Sequence, residues 1–154
     1  MTMQRSLCSF LLLTNVIFMT SLSSAKAVSN SSLTVTINGL KNQRGQVCLS
    51  VFSSGRGFPS KSDRAVAARC VKLENAPLTV KFENLKAGNY AIAVFHDANS
   101  DGILNRNVLG IPTEEFGFSQ NPKILTGPPK FGDCAVLVAG PQTNIQIQLL
   151  SFLS

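Results

Sequence analysis

Apolar and polar residues alternate along much of the chain beyond residue 30. In Ser32–Asn38 (SLTVTIN), Leu33, Val35 and Ile37 alternate with Thr34, Thr36 and Asn38, the period of two that puts apolar side chains on one face of a half-buried strand. Gln46–Phe52 continues the pattern after a turn at Lys41–Gly45, and Thr79–Glu83 in LTVKFEN alternates again. Asn89–Phe95 (NYAIAVF) is more uniformly apolar and predicts a central strand, Ala135–Ala139 predicts a weaker one, and Asn144–Leu150 in NIQIQLL predicts the last. Short strands separated by turn residues predict an all-β fold, an antiparallel β-sandwich of about six to eight strands with long loops.

Two stretches break the period. Ser53–Arg69 holds SSGRGFPSKS and then DRAVAAR, where Ser62 is placed to cap a turn or two of helix. From Asp97 to Gly132 no period of either kind is sustained, and connections of that length are usually either functional or disordered. Ile103, Leu104, Val108, Leu109, Ile111, Phe116, Phe118, Ile124, Leu125 and Phe131 are too many large apolar side chains for a solvated linker. The segment is therefore expected to fold back over one end or edge of the sandwich, giving its polar residues a fixed scaffold. Phe116 and Phe118 read as seals against the sheet; alternatively, one lines a small cleft beside Glu114 and Glu115.

The chain has 154 residues, but its beginning does not belong to the sandwich. Met1–Arg5 is a short positive leader, Leu7–Leu22 is apolar or small and uncharged, and Ser23–Ala27 ends in the A-x-A pattern of a secretory cleavage site. Residues 1–27 read as a signal peptide and 28–154 as a single β-sandwich domain, exported to the periplasm or the extracellular medium. The alternative, an N-terminal membrane anchor, is disfavoured because the apolar run is shorter than the about 20 residues that a spanning helix needs. Nothing beyond residue 27 is apolar enough to span a bilayer, so no transmembrane segment is expected in the mature protein. Without Arg5 and Lys26 the formal net charge falls from +6 to +4, all eight acids lying beyond residue 27. The positive residues are dispersed and lack interleaved aromatics on which bases could stack, which argues against nucleic acid and leaves a cell-envelope or extracellular partner. Of the four cysteines, Cys8 leaves with the leader. An odd set remains, in which a Cys48–Cys70 disulfide closing the intervening loop is the first choice and Cys134 is the leftover thiol. The other reading has all three as buried small hydrophobes.

Residues 97–102 spell D-x-N-x-D-G. Alternate oxygen-bearing side chains ending in a glycine let a loop curl around a hard cation. Asp97, Asn99 and Asp101 supply the first ligands, with the Ile103 carbonyl and the Asn105 side chain following. The twelfth position is Val108 where a bidentate Glu belongs, and a strand leads in, so this is no EF-hand. It is a candidate calcium loop in a β context that recruits Glu114 or Glu115, with affinity on the order of 0.1 to 1 mM. The plainer reading is a turn rich in Asx residues that bond their own backbone. His96, the one histidine of the chain, stands beside Asp97 with Glu114 and Glu115 downstream, which raises a hydrolase or small-ligand site in a loop-covered cleft. No Gly-x-Ser-x-Gly, no His-Glu-x-x-His and no second histidine accompanies it. A hydrogen-bonded structural histidine is the weightier reading, and the balance leans away from an enzyme; Cys134 as a nucleophile is weaker still.

Leu85-Lys86-Ala87-Gly88-Asn89-Tyr90 reads as a tight turn with Gly88 free to take a positive φ and Tyr90 packed at the corner. It resembles the L-x-x-G-x-Y turn of transthyretin-like and collagen-adhesin B-type sandwich domains, which implies a transthyretin-like or immunoglobulin-like sandwich. With GQVCLSVF and the GFP after it, FENLKAGNYAIAVFHDANSDGILNRNVLGIPTEEFGFSQNP and GPPKF, the mature chain resembles the secreted bacterial family called domain of unknown function 2141. It is similar in particular to cyanobacterial members with a cysteine in the same strand. The resemblance implies an exported all-β domain in which His96, Asp97, Asn99, Asp101, Gly102, Gly110, Pro112, Glu114, Gly117, Phe118, Ser119 and Asn121 match the signature. Members more often carry Gly at position 115, which weakens Glu115 as a ligand and leaves Glu114. Two functions stand: a non-enzymatic, calcium-stabilised module, or a small-ligand binder or hydrolase using His96 and Glu114.

Overall fold

The computed structural model describes residues 30–74 and 77–152. The expected signal peptide and the expected mature start near Val28 lie outside the described residues. The elements run β1 (Ser31–Asn38), β2 (Gln46–Phe52), a 3-10 turn (Ser62–Arg64), β3 (Ala67–Lys72), β4 (Leu78–Leu85), β5 (Gly88–Asp97), β6 (Phe116–Phe118), a one-turn helix α1 (Phe131–Cys134), β7 (Val136–Val138) and β8 (Thr143–Gln148). They form two facing sheets: a three-stranded one in the order β4-β1-β8, and a five-stranded one in the order β3-β2-β5-β6, with β7 paired to the other end of β5. All pairs are antiparallel except β1 with β8. The fold is the expected all-β sandwich.

The alternation in the sequence is the alternation of faces. Leu33, Val35 and Ile37 of β1 point inward with Val80 and Phe82 of β4 and Ile147 of β8, and meet Val47, Leu49 and Val51 of β2 and Ile92 and Val94 of β5. Each such side chain contributes about 1.5–3 kcal/mol by leaving water, which makes the inner face the main source of stability. Tyr90 closes one corner, buried, its hydroxyl donating to the Lys86 carbonyl at 2.8 Å. The positive φ near this turn falls on Asn84 (60°) rather than on Gly88.

Two strands lie where irregular chain was expected. β3 shows no apolar period because it is an edge strand with most side chains in solvent. Its place is set by backbone pairing to β2 and by the Cys48–Cys70 disulfide, whose residues stand directly opposite across the two strands with Cα atoms 4.0 Å apart. Such close spacing belongs to a non-hydrogen-bonded cross-strand pair. Ser62 does not cap the short turn before β3: Lys61 holds the cap position, without a side-chain cap bond. β6 has only three residues, Phe116-Gly117-Phe118, too few for any period to register. Its glycine faces inward, where a Cβ would lie 2.8 Å from Ile147 Cγ2 and 3.0 Å from the Gln148 carbonyl. Gly117 is therefore what lets β8 close over β6.

The outer face of the five-stranded sheet carries a second apolar cluster. Ala91, Phe116, Phe118 and Cys134 are its buried members, with Phe58, Ala93, Phe95, Leu104, Ile124 and Phe131 packed around them. Phe58 is its hub, with edge-to-face ring contacts to Phe52, Phe118 and Phe131 at 5.4, 6.0 and 6.1 Å. Both irregular stretches thus fold back, as the count of apolar residues predicted for the second, but over a sheet face rather than over an end or edge of the sandwich.

Candidate functional site

β5 ends in His96 and Asp97, both fully buried, and the loop that follows is assembled on them. The His96 ring has a partner at each nitrogen: Nε2 lies 2.7 Å from the Arg44 carbonyl oxygen, and Nδ1 lies 2.8 Å from Glu115 Oε2. A carbonyl only accepts, so Nε2 carries a proton and donates it. The contact to Glu115 then holds a second proton, on Nδ1 or on the carboxyl, because two bare acceptors would repel at that distance. The His96 N–H also donates to the Glu115 carbonyl at 2.8 Å. His96 thereby ties β5 to the β1–β2 turn on one side and to the segment entering β6 on the other. With both nitrogens engaged and the ring out of solvent, it offers no free base to a substrate.

Glu114 points elsewhere. Its Oε1 accepts the Ala98 N–H at 3.0 Å and its Oε2 the Asn105 N–H at 2.9 Å. The structure therefore pairs His96 with Glu115 and leaves Glu114 as a clamp across the loop. Asp97 accepts Asp101 N–H at 3.1 Å through Oδ1, and Gly102 N–H and the Gln46 amide through Oδ2, both at 2.7 Å. Asn99 Oδ1 accepts the Asp101 N–H at 3.3 Å, while the Asn99 and Asn105 amides donate to Asp101 Oδ2 at 2.8 and 3.1 Å. Asp101 Oδ1 accepts the N–H of Ile103 at 2.8 Å. These donors, the Ile103 N–H first and then Asn99 and Asn105, hold the exposed Asp101 carboxyl below its ordinary pKa.

Asp97, Asn99, Asp101, Ile103 and Asn105 are thus brought together, and Glu114 adjoins them through backbone. Among the described residues no group of three or more His, Cys, Asp or Glu side chains is placed to hold a metal. One oxygen stands apart: Asn105 Oδ1 is buried without a hydrogen-bond partner. That orphan is an observation a hard cation would account for, so the residues fit calcium in part. Of the candidate side-chain oxygens Asn105 Oδ1 alone is unengaged, whereas those of Asp97, Asn99, Asp101 and Glu114 accept hydrogen bonds within the loop.

Past this loop the chain forms the wall of a cleft of about 560 Å³ on the outer face of the five-stranded sheet. The small side chains Ser50 and Ala93 leave room on the sheet, Phe95, Phe116 and Phe118 stand beside it, and Pro59, Leu104 and Ile124 close over it. Ile103, Leu125 and Phe152 line the same cleft while standing largely in solvent. A volume of this order, apolar with few polar groups, is the usual form of a small-molecule site. Neither Glu114 nor Glu115 belongs to its lining, so the cleft lies apart from the carboxylates that were expected beside it.

Sequence reasoning missed the Pro59–Ser62 wall and Arg106, because each reaches the cleft through tertiary folding. The GFP after β2 was the available signal for the first. Several signature positions turn out to be fastenings. Ser119 exchanges hydrogen bonds with Ile92 at 2.9 and 3.0 Å and donates to the Cys134 carbonyl. Asn121 accepts the Gln148 N–H at 2.8 Å and donates to the Gln146 carbonyl at 3.2 Å. Cys134 is a free, buried thiol whose pKa is pushed up to about 12 by burial and then by Asp133, which removes it as a nucleophile near neutral pH.

A family model described as "Uncharacterized protein conserved in bacteria (DUF2141)" matches residues 35–146, and the chain belongs to that family. Neither a curated protein nor a solved structure matches the chain.

Proposed function

We propose that this member of the DUF2141 family is a non-catalytic binding module that holds a small apolar molecule in the cleft on the outer face of its five-stranded sheet. The observation that carries the reading is the cleft itself: aromatic and aliphatic walls enclose about 560 Å³ above Ser50 and Ala93. The engagement of both His96 nitrogens supports binding over hydrolysis. The leader pattern and the Cys48–Cys70 disulfide support action outside the cytoplasm, at the cell envelope or beyond it. Among the described residues no helix is long and apolar enough to cross a membrane.

The test is a fluorescence titration with N-phenyl-1-naphthylamine, a neutral dye that brightens in apolar sites. Saturable binding is expected in the wild type, and its loss in Ser50→Phe, which fills the cleft from the sheet side, with the melting temperature retained. No saturable binding by the wild type, or equal binding by the filled variant, would sink the reading.

A second reading concerns the loop and is favoured by the orphaned Asn105 Oδ1: calcium stabilises the wall of the cleft. A cation beside Asn105 Oδ1 would give that buried oxygen the partner it lacks. Asp97, Asn99, Asp101 and the Ile103 carbonyl would complete the set, the carboxylates giving up hydrogen bonds that they now accept from the loop. A site of about 0.1 mM affinity, saturated a hundredfold, adds about 2.7 kcal/mol. A melt in chelator and in excess calcium, with Asp101→Ala as control, decides it; identical melts would mean the loop stands on its own hydrogen bonds.

A further inference from the structure

We propose that the cleft selects single-chain amphiphiles with an anionic head, of the fatty-acid class, and that Arg106 receives the head group. The proposal rests on the apolar-ligand reading above. Among the described residues Arg106 is the one ionisable side chain lining the cleft, and no acid lines it. The hydroxyl-bearing Ser50, Ser60 and Ser62 are its other polar members. An apolar cleft with a lone cation at its wall matches a molecule that is hydrocarbon over most of its length and negative at one end. A carboxylate entering a low-dielectric cleft without such a partner would lose its hydration uncompensated.

Arg106 is held for this task. Its backbone bridges to Pro112, and its Nη1 donates to the Gly110 carbonyl at 2.8 Å. The turn it grips is bonded internally: Asn107 Oδ1 accepts the N–H groups of Leu109 and Ile111, both at 3.0 Å, and the Asn107 N–H donates to the Ile111 carbonyl at 2.9 Å. Among the described residues the guanidinium enters no ion pair, so its remaining N–H donors are open to a ligand. A planar guanidinium pre-set in this way suits a two-oxygen anion, which it can grip bidentately. Gly102, Ile103 and Leu104, which precede Arg106 in the same segment, line the cleft beside it.

The experiment compares two probes with the same tail and different heads, laurate and 1-dodecanol, by displacement of N-phenyl-1-naphthylamine below their aggregation limits. In the wild type laurate is expected to bind about tenfold more tightly, the worth of one charge-assisted contact. In Arg106→Gln the two probes are expected to bind alike, and in Arg106→Lys part of the preference returns. A melt of each variant verifies folding. Equal binding of laurate and dodecanol by the wild type would overturn the head-group assignment while leaving the cleft as an apolar site. Displacement of the bound dye by neither probe would overturn the proposal while leaving the cleft as an apolar site, and absence of dye binding itself would overturn both readings. Equal weakening of both probes in Arg106→Gln would make Arg106 a wall residue only and overturn the proposal.

Discussion

The molecule holds two apolar clusters on opposite faces of one sheet, and they are closed in different ways. The inner cluster is shut between two sheets, its members supplied by alternate positions of β1, β2, β4, β5 and β8 and nearly all without solvent contact. The outer cluster is covered by the Ser53–Val66 stretch and the long segment after β5, which pairs with the sheet only through the three residues of β6 and is otherwise held by polar clamps. Two sheets about 10 Å apart interdigitate and leave no space. A cover made of loops cannot interdigitate so evenly, and the volume it fails to fill is the cleft. The same sheet therefore supplies stability on one face and a site on the other.

The largest effect expected from breaking this arrangement is at the joint between the regions. His96→Ala would remove a fully buried ring and leave Glu115 and the Arg44 carbonyl without their partner in a part-buried place, a loss of about 3 kcal/mol, read by urea unfolding. If the variant stays within about 0.5 kcal/mol of the wild type, as a surface change would, the histidine is not what holds the loop. Removing the Cys48–Cys70 bridge by paired Ser substitutions should cost about 3 kcal/mol for a loop of this length, 22 residues apart in sequence. Dye binding should survive, because neither cysteine lines the cleft.

Gly117→Ala sits where the two regions share a wall, and its methyl would press on Ile147 and the β8 backbone; a loss of about 1 to 3 kcal/mol is expected from overpacking. At the loop, acid provides a gentler probe. The folded pKa of Asp101 lies below its unfolded value, so its contribution is present above the ordinary carboxylate range and disappears as pH falls through the folded pKa. Asp101→Asn should accordingly narrow its stability deficit as the pH is lowered from 6 to 3, in melts across that range. Smallest of all, Leu125→Ser at the exposed rim should leave stability within about 0.5 kcal/mol and weaken dye binding, separating the site from the scaffold.

What could be read from the sequence follows the same division. The inner face was legible because alternating burial writes a period of two into β1, β4 and β8, while β2, buried on both faces, shows as a nearly continuous apolar run. β3 and β6 were not: an edge strand with solvated side chains has no apolar face to show, and three residues hold no period. The Asx bonding within DANSDG was legible from composition, since Asp and Asn bond nearby backbone wherever a turn allows. The partner of His96 was not. Glu114 and Glu115 are adjacent, and in extended chain adjacent side chains face opposite ways; which one meets the histidine depends on the phase of the chain entering β6, set by its pairing with β5. The cleft was least legible, since Pro59, Arg106 and Ile124 come from separate segments joined only by folding.

The most direct measurement is a titration of the isotope-labelled protein with N-phenyl-1-naphthylamine, followed by backbone amide NMR. Saturable shifts are predicted at Ser50, Ala93, Phe95, Ile103, Leu104, Phe118 and Ile124, with Leu33, Val35 and Ile147 of the inner core unmoved. Shifts spread over both clusters, or confined to residues away from the outer face, would contradict the claim that one face of the sheet is sealed and the other is a site.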